Sequence, residues 1–182
     1  VDNYDDSSIE PAKLYNCKII IQKSKGYGSA IKEGFENASN EFGCIFNADY
    51  SFDPIYLEKM INKSKKYKFI FGTRYKNEGR SDDDDIITLV GNKIFSFMSK
   101  YLLRINLSDI LCTYVLCNVK DFRKLDFSSK DFRLCIELPF KVSKYINSYC
   151  EIPMIERKRY AGKKNVNVIK DGFLILLEII KK

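Results

Sequence analysis

The 182-residue chain has no histidine and no tryptophan, and only 9 glycines and 4 prolines. Without His, a Ser-His-Asp or Cys-His catalytic unit, a His-ligated zinc and a His-based pH switch are excluded together. Any acid, base or metal ligand must come from Asp, Glu, Lys, Tyr or Cys. The shortage of Gly and Pro, beside 45% hydrophobic and 30% charged residues, excludes collagen-like, low-complexity and disordered classes. No apolar run reaches the ~18 residues of a transmembrane helix, and the first residues show no signal-peptide pattern. The cysteines (Cys17, Cys44, Cys112, Cys117, Cys135, Cys150) form no C-x-x-C pair and sit mostly among apolar neighbours. They read as reduced thiols of a cytosolic protein. The length fits one domain spanning residues 1–182, with a sizeable core.

What is present is an uneven excess of positive charge. Of the formal net charge of +7, the stretch from Lys141 to Lys182 carries a balance of +6. A basic end suits phosphate groups, an anionic membrane surface or nucleic acid. Nucleic acid is set aside, because aromatic residues interleave poorly with the basic residues at 157–164 and no recognised module is present.

Short β-rich runs alternate with helical patterns. Lys-Ile-Ile-Ile-Gln at 18–22 reads as a strand closing on the turn Lys25-Gly26-Tyr27-Gly28. Ala30, Ile31, Phe35 and Ala38 then repeat at three and four residues, the spacing of one helical face. A strand at 42–48 follows, then a helix with Asp53 as N-cap and Pro54 in its first turn running to about residue 66, then a strand at 68–73. This order predicts an α/β fold with a mostly parallel central sheet, helices on both faces and a ligand site beyond the carboxyl ends of the strands. Further strands are expected at 110–118 and 151–156, and helices at 88–104, 134–146 and 167–180. The helix at 88–104 is apolar on more than one face, as either a core helix or a membrane-touching one would be. Four consecutive aspartates, Asp82 to Asp85, end a polar stretch that reads as a solvated, mobile loop tip.

Asn47-Ala48-Asp49 is the most informative spot. A carboxylate at the carboxyl edge of a sheet can hold Mg²⁺ or Mn²⁺ alongside substrate phosphates, although Asp also serves there as a cap or turn residue. Arg74 and Arg80 fall near the same edge and can clamp phosphates or form rim ion pairs. The basic run at 157–164 can fold over a diphosphate or stay solvated. Gly26-Tyr27-Gly28 lacks the third glycine and the Lys-Ser/Thr of a P-loop, so it reads as a tight strand-to-helix connection.

The ordered set of these motifs resembles a known family. Lys25-Gly26-x-Gly28-x-Ala30-Ile31-x-x-Gly34-Phe35-x-x-Ala38, then Asn47-Ala48-Asp49-x-x-x-Asp53-Pro54, then Phe71-Gly72-Thr73-Arg74 is similar to the family-two glycosyltransferases of GT-A fold. The likeness is strongest to the polyprenyl-phosphate sugar transferases of the dolichol-phosphate mannose synthase type. Gly91-Asn92-Lys93, Asp109 before Cys112-Thr113-Tyr114, Glu137, Ile152-Pro153 and Arg159-Tyr160-Ala161-Gly162 follow in the family's order.

The resemblance implies a Rossmann-like three-layer fold and an inverting transfer of sugar from a nucleotide-sugar to a polyprenyl phosphate or a glycan, with Mg²⁺ or Mn²⁺. It assigns the metal to Asp49 and puts Asn47 where a first acid is usual. Arg74, Arg159 and Arg80 fall where phosphates of donor and lipid acceptor are held. Asp2 falls where the nucleotide base is contacted, and Lys25, Ala48 and Lys163 join Asn47 on the substrate. A hydroxyl acceptor would call on Asp53 or Glu137 as base. The expected location is the cytoplasmic face of a membrane, in peripheral contact. The family's first strand is missing, so the chain is expected to begin inside the domain. The alternative reading is a degenerate, non-catalytic nucleotide-sugar-binding or interaction domain.

Overall fold

Five consecutive buried residues, Phe69–Thr73 (β2), form an inner strand, as a bulky apolar run does when both of its faces are covered. The computed structural model describes residue 7 and residues 9–161 and 167–182. Around β2 are set β1 (Phe42–Ile45), β4 (Val115–Asn118) and β5 (Tyr149–Pro153) in the order β1-β4-β2-β5. A second, two-stranded sheet pairs β3 (Arg80–Ser81) with β6 (Ile155–Glu156). The helices are α1 (Ile9–Lys13), α2 (Tyr27–Glu36), α3 (Ile55–Ser64), α4 (Ile86–Leu102), α5 (Val119–Arg123), α6 (Leu134–Lys141) and α7 (Val168–Lys181).

The central sheet is mixed, and most of its strands run parallel to one another as expected. β2 pairs with β5 in parallel, but β4 lies antiparallel to both β1 and β2. Three of the four strands still share a direction, and the reversed β4 is inserted among them. The reason is the route of the chain: the excursion through β3 and α4 leaves the sheet after Thr73 and re-enters at the same edge, where Gly72 N–H donates to the Tyr114 carbonyl at 2.8 Å. Crossing back would have been required for a parallel pairing.

Alternation along the strands feeds two cores, as period-two geometry requires. Phe69, Phe71, Val115 and Cys117 face the larger core with Phe35 of α2, Phe122 of α5, Leu134 of α6 and Ile175 and Ile179 of α7. Ile70 and Leu116 face the other side, where Met60 of α3, Phe52, Tyr114, Ile152 and Met154 pack. Helices therefore cover both faces of the sheet, giving three layers.

Residues 18–22 form no strand. No strand ladder joins them to another strand among the described residues. The helix beginning at Pro54 starts one residue later than predicted, with Asp53 Oδ1 still accepting from Ile55 N–H at 3.0 Å. The helix expected at 134–146 ends as α6 at Lys141 and continues as a π-helical turn, Val142–Ile146, which stops at Asn147 in the left-handed region (φ 46°).

Candidate active site

β1 delivers Phe46, Asn47, Ala48 and Asp49 to the carboxyl edge of the sheet, where the chain turns sharply at Tyr50 (φ 70°). The turn is held by the Asp49 side chain, whose Oδ1 accepts from Ser51 N–H at 3.0 Å and from Ser51 Oγ at 2.5 Å. Its other oxygen, Oδ2, faces Arg159 Nη1 at 3.6 Å. The basic segment runs alongside this turn: Arg157 N–H donates to the Ser51 carbonyl at 2.9 Å and Tyr160 N–H to the Asp49 carbonyl at 3.0 Å. Arg157 pairs with Asp53 and lies over the Tyr50 ring. Backbone pairing thus carries Arg159 to Asp49 from a distant part of the sequence.

Arg74 lies deeper, at 8% exposure, and its guanidinium is already engaged. Nε and Nη2 donate to the two oxygens of Asp109 at 2.7 and 2.9 Å, and Nη1 donates to Glu156 at 3.0 Å. Burial disfavours its charge, but Asp109 more than offsets this and keeps the group cationic. Asp84 completes the cluster, 3.7 Å from Arg74 Nη1, and accepts from the Tyr75 hydroxyl at 2.5 Å. The aspartate run is therefore only in part a solvated loop tip, with Asp82 and Asp85 exposed and Asp83 and Asp84 turned inward. Asp84 is 5% exposed, Asp83 faces Arg159 at 3.6 Å, Asp85 caps α4 through Thr88 N–H, and Asp82 pairs with Arg80.

These groups surround a cleft of about 560 Å³. Asn47, Ala48, Asp49, Arg74 and Arg159 line it together, although Arg74 presents a side chain bound to carboxylates rather than an open fork. Lys25 is exposed and is not among the lining residues. Arg80 is also absent from the lining. Its side chain is 63% exposed, and Asp82, two residues on, neutralises it at 3.1 Å. Asp2 and Lys163 lie outside the described residues. Sequence reasoning misses Tyr27, Asp83, Asp84, Thr113 and Glu156, all of which line the cleft. The aspartate run is the available signal for two of them. Burial holds the Tyr27 phenol up and protonated, facing Thr113 without a hydrogen bond of good geometry.

The two acids considered as bases are placed elsewhere. Asp53 is engaged by Arg157 and Ile55. Glu137 is fully buried and accepts from Ser128 and Ser129. Burial opposes its charge, yet the Ser128 and Ser129 donors and Lys141 prevail and hold the carboxyl down at about 2. In a separate groove of about 480 Å³ between α2 and α5 the cations already have partners. Lys32 donates to the Phe127 carbonyl, Arg123 to the carbonyls of Phe35, Glu36 and Ala38, and Lys124 to Asp121.

Among the described residues no three metal-ligating side chains cluster. Asp49 stands at the cleft beside Arg159, with Asp83 against the same guanidinium and Asp84 and Glu156 tied to Arg74. This donor set fits a hard divalent cation that takes one protein carboxylate and completes its shell with water and substrate phosphates.

The fold matches those of solved glycosyltransferases. Glucosyl-3-phosphoglycerate synthase of Mycobacterium tuberculosis, solved with UDP, superimposes with a TM-score of 0.71 over 99% of this chain and 66% of that one, at 8% identity. The same enzyme with Mn²⁺, UDP and glucosyl-3-phosphoglycerate gives 0.70. Mannosyl-3-phosphoglycerate synthase of Rubrobacter xylanophilus gives 0.72, over 97% and 59% of the two chains, at 11% identity. The fold is thus the GT-A fold of nucleotide-sugar transferases. The chain belongs to glycosyl transferase family 2, whose model matches residues 1–126. Glycosyltransferase AglJ of Haloferax volcanii is 22% identical over 97% of this chain, which spans 59% of that relative's length. The dolichol-phosphate mannosyltransferase of Saccharomyces cerevisiae is 30% identical over 80 residues, covering 41% of this chain and 30% of that enzyme.

Proposed function

We propose that this chain is the donor-binding and transfer portion of an inverting glycosyltransferase that moves a sugar from a nucleotide-sugar to a polyprenyl phosphate at the cytoplasmic face of a membrane. The observation that carries the reading is Asp49 at the carboxyl end of β1, opening on the 560 Å³ cleft with Arg159 against it. Asp49 would hold Mg²⁺ or Mn²⁺, which when bound supplies positive charge to the leaving diphosphate. Arg159 offers the same phosphates a planar pair of donors. Arg74 acts as a positioning residue: by tying Asp109, Glu156 and Asp84 together, it sets the cleft wall between β2 and β6. Asn47 and Ala48 face the donor along the cleft floor.

The placement of the two acids considered as bases supports this acceptor. Neither Asp53 nor Glu137 is free at the cleft, and an anionic phosphate oxygen needs no base, whereas a hydroxyl does. The similarity to dolichol-phosphate mannosyltransferase supports the same choice.

Isothermal titration with UDP and GDP, each with and without Mn²⁺, tests the proposal. We expect metal-dependent binding that Asp49→Ala abolishes while the unfolding midpoint stays near that of the unsubstituted chain. Nucleotide binding indifferent both to Mn²⁺ and to Asp49→Ala would reject the assignment.

A further inference from the structure

Two tyrosines stand exposed where the cleft opens. Tyr50 is 63% exposed and directly follows Asp49, and Tyr160 is 87% exposed and directly follows Arg159, so each continues from an ionic residue that lines the cleft. Their rings meet edge to face, with centroids 6.4 Å apart and planes at 67°. The two come from segments distant in sequence, held side by side by the bonds from Tyr160 N–H to the Asp49 carbonyl and from Arg157 N–H to the Ser51 carbonyl. Arg157 lies over the Tyr50 ring and is itself paired with Asp53.

The fold does not require a tyrosine at this turn. Tyr50 has φ 70°, in the left-handed region. Of the other non-glycine residues with positive φ among the described residues, Asn77 and Asn147 are of the type that tolerates it, and Arg104 follows the end of α4, where helices commonly close in this way. A bulky aromatic side chain at such a position is a genuine outlier. Glycine or asparagine would make the same turn with less strain, because the Asp49 side chain and the backbone at 157–160 hold it. Burial does not offset the strain either, since most of Tyr50 faces solvent. Strain retained beside a functional cleft points to a use for the side chain.

The neighbouring residues indicate what the pair meets. In a nucleotide-sugar the sugar is bonded directly to one phosphate, whereas the base is set off from the other by the ribose. With the diphosphate at Asp49 and Arg159, a side chain one residue beyond either of them reaches the sugar before the base. The shape agrees: parallel rings grip a flat base, but two rings tilted at 67° leave an open V. A sugar ring can lay its C–H face on the electron-rich face of one ring and turn its hydroxyls to the phenol oxygens. We propose that Tyr50 and Tyr160 form a stacking subsite for the sugar ring of the nucleotide-sugar donor, and so help to set which sugars the protein accepts. The inference rests on the donor reading above, with Asp49 and Arg159 at the diphosphate.

The test is titration calorimetry of the full chain with Mn²⁺, comparing UDP-glucose with UDP and GDP-mannose with GDP, which separates the sugar's share of the affinity from the nucleotide's. Tyr50→Asn and Tyr160→Ala should each weaken binding of a nucleotide-sugar about three- to tenfold, the range of one aromatic contact, and leave the affinity for the nucleoside diphosphate unchanged. Tyr50→Phe and Tyr160→Phe keep the ring faces and should lose less. Because asparagine suits the left-handed region, Tyr50→Asn should unfold at or above the midpoint of the unsubstituted chain. Nucleotide-sugar affinity unmoved by both variants overturns the proposal. So does an equal loss with nucleotide and nucleotide-sugar, because the rings then meet the base. A Tyr50→Asn midpoint lowered by more than about 4 °C also overturns it, since the ring would then be kept for packing. Absence of Mn²⁺-dependent UDP and GDP binding by the unsubstituted chain removes the donor reading and this subsite with it, whereas intact nucleotide binding with neither tyrosine mattering removes the subsite alone.

Discussion

Arg74 and Arg159 line the same cleft and differ in what holds them. Arg74 is buried among Asp109, Glu156 and Asp84, so removing its charge leaves acids that have already lost their water. Arg74→Met should therefore cost about 3–5 kcal/mol of stability, the usual loss when one partner of a buried ion pair is deleted. Urea unfolding measures it, and a loss below ~1 kcal/mol would show that the cluster relaxes to water. Arg159 is more exposed and meets Asp49 and Asp83 at 3.6 Å, close enough for attraction but too far for a hydrogen bond. Arg159→Lys keeps the charge and loses the planar fork. It should weaken nucleotide binding by about 1.5–3 kcal/mol, as losing a charged hydrogen bond does, with little change in stability. Equal weakening by Lys158→Ala would point to diffuse field rather than contact.

The first turn of α2 shows why a glycine pair stands where a nucleotide-binding loop could be imagined. Ser29 N–H donates to the Lys130 carbonyl at 3.2 Å, so the backbone at 129–131 occupies this helix end in place of an anion. Gly26 adopts φ 110°, and a Cβ on Gly28 would lie 2.5 Å from the Ser129 carbonyl oxygen. Gly28→Ala must part the helix from that turn and should destabilise by about 1–3 kcal/mol. At Gly34, in the same helix, an added methyl would meet nothing within 4 Å, so Gly34→Ala should stabilise by about 0.5–1 kcal/mol through helix propensity. Thermal unfolding of the two variants gives opposite signs if the packing is as described. A shared sign would mean that propensity or strain alone governs the helix.

For the molecule as a whole, the absence of His leaves the acid limb of the stability curve to carboxylates. Glu137 anchors the turn at 128–129 and lies near Lys141 and, at 4.0 Å, Lys182, so it joins the seat of α2 to α6 and the end of α7. Its carboxyl is held at about 2 against an ordinary 4.5. Because the folded value is depressed, its contribution is complete above pH 4.5 and is lost as pH falls from there through about 2. The loss amounts to on the order of 3 kcal/mol. Urea midpoints measured across that window should fall steeply for the unsubstituted chain and less for Glu137→Gln, which has no proton to gain. Parallel curves would place the acid sensitivity elsewhere. At the alkaline end, burial holds the Cys112 and Cys117 thiols well up and Cys44 at about 12, so none of these contributes a transition near neutrality.

Local pattern was enough for most of this architecture. The three-and-four spacing of Ala30, Ile31, Phe35 and Ala38 announced α2, the run at 68–73 announced a strand, and Asn47-Ala48-Asp49 stood out because an acid after a strand and before a capped helix is itself a local arrangement. Sequence neighbours also suffice to show that α4 is apolar on more than one side, since a helix's composition is written in its own residues. Which side faces inward is not, because that depends on what packs there. Tyr75 and Ile110 use Asn92 and Ser96, and so Ile94 and Phe97 are left outside. The same dependence on distant partners governs the remaining differences. β4 reverses because the chain returns to the edge it left, and Arg74 is made the centre of an ion cluster by Asp109 and Glu156. Propensity and periodicity act over a few residues, whereas ion pairs, strand order and exposure are set by segments that meet only when the chain has folded.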